Sequence, residues 1–119
     1  MPLTTDQVTR EDGQLSDGLS AALDEHLKDN FGELLPHVFF GDVTRRLVAL
    51  SEDGSDLAHA ELDRVLAFLE DRFDEGDEQI QELIAVSLLE NLPRPGESGV
   101  GIRRSLGPGL RAELDRLES

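Results

Sequence analysis

The chain has 119 residues, of which 26 are acidic and 11 basic, giving a formal net charge of −15, and it contains no cysteine. That length suits one domain with its own core. The missing cysteines exclude a disulfide framework and thiolate metal sites, and the charge disfavours phosphate backbones and anionic membranes as partners.

A basic protein is the macromolecular partner that such a charge attracts, although excess acid also serves plain solubility. The first residues, "MPLTTDQVTREDGQLSDG", are polar and lack an apolar h-region, so no secretory signal is expected there. The longest apolar run, "LIAVSLL" with Ser87 inside it, falls well short of the roughly 20 residues needed to span a bilayer. A cytoplasmic location is the resulting expectation.

Residues 1–15 show no apolar periodicity and are predicted to form a disordered tail, leaving 16–119 as a single helical domain. Leu19, Leu23, His26, Leu27 and Phe31 recur at helical spacing, which predicts a helix over about 16–31 ended by Gly32. Pro36 fits the first turn of a second helix, whose stripe continues through Val43, Leu47 and Leu50. Gly41 either kinks that helix or marks a turn capped by Asp42. After the turn "SEDGSD" a third helix is predicted over about 56–75, burying Leu62, Val65, Leu66, Leu69 and Phe73. A fourth, over about 77–92, is apolar nearly all round and should be central, with Ser87 giving a close helix approach.

Pro93 and Pro95 end that helix. Val100, Ile102 and Leu106 suggest a short helix, and Pro108 opens a last one carrying Leu110, Leu114 and Leu117. No sustained alternation of period two appears. The predicted fold is therefore all-α, a compact bundle of five to six helices. Segments 56–75 and 77–92 form an antiparallel hairpin in the style of an α-solenoid such as a HEAT repeat.

The stretch "DRFDEGDEQIQE", residues 71–82, raises the question of a calcium loop. Such loops need oxygen ligands at positions one, three and five and a glutamate at twelve. Position three is Phe73, and helical spacing leaves only a tight turn around Gly76. The expectation is a helix–turn–helix, with Gly76 left-handed after one helix and Asp77 capping the next. No metal and no cofactor are expected.

Residues 70–82 nonetheless hold seven acids against one base, Arg72. Glu70, Asp71, Asp74, Glu75, Asp77, Glu78 and Glu82 are the candidate contacts for a basic partner. The alternative contact is "HVFFGD", with His37, Phe39, Phe40 and Asp42. Phe39 and Phe40 cannot both lie at the centre of one narrow stripe, so either both are wedged in the core or one is exposed as an anchor.

Catalytic signals are thin. His26, His37 and His59 show no paired-ligand spacing, and there is no GxSxG elbow or phosphate-cradling glycine loop. A half-buried, hydrogen-bonded role suits His26, and His59 suits the surface. Arg45–Arg46 and Arg103–Arg104 are expected to tie acidic helices together. The chain is read as non-enzymatic, with a small enzyme using His37 and a nearby carboxylate as an alternative.

Through "LLPHVFFGDVTRRL" and "IQELIAVSLLENLPRPGE", residues 30 to 115 resemble small acidic bacterial proteins of unassigned function. They are also similar to the immunity proteins that accompany polymorphic toxins. The resemblance implies an all-helical fold and a toxin-neutralising role, and it assigns no site residues. The functional expectation is a protein-binding module, an immunity protein or antitoxin that neutralises a basic toxin through acidic helix faces. A helical adaptor assembling through Phe39 or Phe40 is the alternative.

Overall fold

In a computed structural model describing residues 4–118, the chain folds as helices joined by short turns, with no strand among the described residues. In order these are α1 (Thr5–Asp12), α2 (Asp17–Asp29), α3 (Pro36–Asp53), α4 (Asp56–Glu75), α5 (Glu78–Ser87) and α6 (Pro108–Glu118). Short 3-10 turns at Leu89–Asn91 and Val100–Ser105 lie between α5 and α6.

Helix α1 occupies most of the segment expected to be a tail, whose first three residues lie outside the described part. It forms because Thr4 and Gln7 make a capping box. The Thr4 hydroxyl accepts the Gln7 N–H at 3.1 Å, and the Gln7 side chain accepts the Thr4 N–H at 3.0 Å. Val8, Thr9 and Asp12 are buried, so α1 is part of the packed domain. It rests on α3, α4 and α5 together, which is the packing of a globular bundle and not the nearest-neighbour stacking of a solenoid.

Helices α2, α4 and α5 start on similar caps, each contributing about 1 kcal/mol. Ser16 accepts from Leu19 N–H, Ser55 from Ala58 N–H and Asp77 from Ile80 N–H, all at 3.1 Å. Helix α2 ends in a Schellman turn, in which Gly32 N–H donates to the Leu27 carbonyl at 2.7 Å. The left-handed C′ position of that turn is Phe31, with φ +56°. Because α2 stops at Asp29, Phe31 lies beyond the buried stripe to which the sequence assigned it and is fully exposed, at 101 %.

Helix α3 runs unbroken through Gly41, and Pro36 sits in its first turn. It is central, packing on α1, α2, α4, α5 and the second 3-10 turn. Phe39 and Phe40 are both fully buried, their rings 6.4 Å apart in an edge-on arrangement. Burial of each ring contributes roughly 1.5–3 kcal/mol, and helices on several sides of α3 give both of them cover. Leu62, Val65, Leu66 and Leu69 of α4 face Ile80, Leu83 and Ile84 of α5 in the same core.

Two turns differ from expectation. Gly76 is extended, with φ −77° and ψ 159°, so left-handed freedom does not explain it. A Cβ there would meet the Arg72 carbonyl at 2.5 Å and Ile80 Cβ at 2.8 Å, and close approach of the two helices requires the glycine. Helix α5 ends at Ser87, five residues before the expected 92. The Ser87 carbonyl left over at that end accepts from Thr44 Oγ1 at 2.9 Å and from Asn91 Nδ2 at 3.1 Å. Leu88, Leu89 and Leu92 stay buried beyond the break. Among the described residues, no helix is long and apolar enough to cross a membrane.

Candidate protein-binding surface

The α4–α5 turn puts the acidic run at one end of the hairpin. Asp71, Asp74, Glu75, Asp77, Glu78 and Glu82 are all exposed. Residues 71–75 belong to α4 and 78–82 to α5, so the suspected calcium loop is helical on both sides of Gly76–Asp77. Gln81 Nε2 donates to the Phe73 carbonyl at 3.0 Å and closes the turn.

Glu70 does not belong with the exposed acids. It is half-buried, and its Oε1 accepts the Leu110 N–H at 3.2 Å in the first turn of α6. Gly107 and Gly109 leave room for the carboxylate, since a Cβ on either would collide with it. Glu70 therefore supplies the side-chain cap that Gly107 cannot, against the positive end of the α6 dipole. This role in the fold removes it from the candidate contacts.

The tip's one base is turned inward. Arg72 Nη2 lies 3.2 Å from Glu11 of α1, Nη1 lies 3.6 Å from Glu75, and the guanidinium sits 4.9 Å from the Phe68 ring centroid. Asp71, Asp74, Asp77, Glu78 and Glu82 have no ion pair among the described residues. Beside them a groove of about 480 Å³ opens between α5 and α6. Phe73, Val86 and Leu117 give it apolar surface, Glu78, Glu82 and Glu90 line it, and the Glu113–Arg116 ion pair stands on its far side. Glu113's carboxyl is held below the usual range by its hydrogen bond to Arg116. Acid over an apolar floor suits a partner that brings both basic and apolar side chains.

The alternative patch comes apart. Phe39 and Phe40 face the core and cannot touch a partner, and Asp42 pairs with Arg45 within α3. His37 is exposed, and its Nδ1 lies 2.9 Å from the Ser87 hydroxyl. That partner is a hydroxyl where a carboxylate was considered, and Ser87 is only 3 % exposed. The pair ties α3 to the end of α5. His26 is buried and hydrogen-bonded, as its neighbours suggested, with Leu35 N–H donating to Nε2 at 3.1 Å. A further groove, of about 590 Å³, runs between Gly41, Thr44, Arg45 and Val48 of α3 and the 91–98 loop; its mixed lining brings no catalytic set together.

Among the other arginines, Arg46 reaches across to α4, where Nη2 lies 2.9 Å from Glu61 Oε1. That hydrogen bond holds the Glu61 carboxyl below the usual carboxylate range. Arg103 pairs with Glu118 and donates to the Pro93 carbonyl at 3.0 Å.

Asp12 escaped the sequence reading because it fell within the expected tail. It is completely buried, neither carboxylate oxygen has a hydrogen-bond partner, and burial pushes its pKa up to about 8. The Thr4–Gln7 box was the available signal that a helix starts there.

Residues 16–119 match the family described as a domain of unknown function, DUF7674, and the chain belongs to that family. No curated protein and no solved structure matches it.

Proposed function

We propose that this DUF7674 member is a non-enzymatic binding module that engages a basic protein through the exposed acids of the α4–α5 tip and the groove beside them. One observation carries the proposal. Five exposed carboxylates, Asp71, Asp74, Asp77, Glu78 and Glu82, stand without a counter-charge, while the only base of the segment, Arg72, is drawn inward to Glu11. Crowding like charges at one end of a hairpin opposes stability, and a basic partner would offset that repulsion. Neutralisation of a basic toxin is the specific form implied by the likeness of residues 30–115 to immunity proteins.

The test separates the tip's binding role from its folding roles. Asp71, Asp74, Glu78 and Glu82 are changed together to Asn or Gln, leaving the cap residues Glu70 and Asp77 and the Arg72 partner Glu75 in place. Wild type and variant are used for affinity capture from the native host lysate at low salt. The proposal expects a basic protein held by wild type, lost by the variant, and released as salt rises past about 0.15 M, where the screening length is near 8 Å. Equal capture by both proteins, or retention of the partner at high salt, would refute it.

A further inference from the structure

A second surface, at the α2–α3 corner, shares no residue with the α5–α6 groove and stands independently of it. Its most exposed apolar residue is Phe31. A bulky side chain in the left-handed region is a steric outlier, and the C′ position it fills is the one glycine usually takes. The ring is fully exposed, so no packing within the chain accounts for it. The turn that ends α2 needs a left-handed residue here but gains nothing from a bulky ring, and a phenylalanine kept at that cost points to a role outside the fold.

The surroundings indicate what kind of partner fits. Asn30, the residue before Phe31, lines a groove of about 400 Å³ with Ala22, Glu25, Asp29, Val38 and Asp42. Val38 is 54 % exposed and adds apolar surface. Asp42 is occupied by Arg45, while Glu25 and Asp29 face solvent. A second copy of a chain with net charge −15 would be repelled from such a groove.

We infer that this corner is a docking surface for a cationic protein segment, with Phe31 anchoring an apolar residue of that segment and the acidic groove taking an adjacent Arg or Lys. Aromatic residues, Phe included, are enriched at interface cores, and acids around such a core complement a cationic partner.

The probe is a synthetic amphipathic peptide of repeated Leu and Arg, used with one twin carrying Ser for Leu and another carrying Glu for Arg. Each is titrated into isotope-labelled wild type and F31G while backbone amide shifts are followed. The Leu/Arg peptide should move amides within residues 25–42, and F31G should bind it about tenfold or more weakly. The Ser twin should bind both proteins alike, and the Glu twin neither. F31G should melt no lower than wild type, because glycine suits the C′ position.

Equal affinity of F31G and wild type for the Leu/Arg peptide would overturn the inference, as would no binding by wild type. A lower Tm for F31G would show that Phe31 serves the fold, with the same consequence. Shifts confined to residues 73–90 would overturn it while leaving the α5–α6 groove reading intact.

Discussion

Asp12→Asn should change the pH dependence of stability more than any surface substitution. In the folded state the buried carboxyl keeps its proton up to about pH 8, whereas the unfolded chain releases it near 3.8. The folded state therefore binds the extra proton, and this group's contribution falls as pH rises. It is fully present below pH 3.8 and lost by the time pH passes about 8. At pH 7 the interval above 3.8 is about three units, so keeping Asp12 protonated costs roughly 4 kcal/mol at 1.36 kcal/mol per unit. Asparagine has nearly the same shape, carries no charge and removes that linkage. Urea unfolding of both proteins at pH 5, 6 and 7 should show the variant gaining on wild type by about 1.4 kcal/mol per pH unit. Groups common to both proteins cancel in the difference. Parallel stability curves across that range would refute the claim that Asp12 is folded away as the neutral acid.

Two further outcomes follow from the ion and cap geometry. Glu70→Ala should lower the unfolding free energy by about 1 kcal/mol through loss of the α6 cap, with the earliest loss of hydrogen-exchange protection in Pro108–Glu118. Unchanged protection there would show that the Leu110 contact contributes nothing. Glu61 titrates below the usual carboxylate range because of Arg46, so its contribution is present above the ordinary value and lost as pH falls through the lowered one. Glu61→Gln should therefore flatten the acid side of the stability curve, an effect visible in thermal melts between pH 2.5 and 5.

The central helices were legible because their signals are periodic. Leu62, Val65, Leu66 and Leu69 repeat at three- and four-residue steps, and Ser55 and Asp77 cap where their residue types predict. Helix α1 was not legible by the same criterion, since Val8 is the one apolar residue in "TDQVTRED"; its evidence lay in the Thr4–Gln7 box. The early end of α5 had only Asn91 as a local sign, because the other donor to the Ser87 carbonyl, Thr44, comes from 43 residues away. For the site, composition located the acidic run but could not separate Glu70 from its neighbours. That distinction depends on where α6 begins in space. Likewise, spacing carried Phe31 into the stripe of α2, since a helix end two residues earlier moves an aromatic from core to solvent.

The placement of α1 on three later helices also fixes an order of events. A ribosome delivers Thr5–Asp12 before α3, α4 and α5, yet the surface they dock on is complete only when Ser87 at the end of α5 has been made. At about 5–20 residues per second this leaves α1 waiting roughly 4 to 15 seconds. During synthesis α1 is thus made well before the surface it rests on, and until that surface exists the Asp12 carboxylate stays in water and ionised.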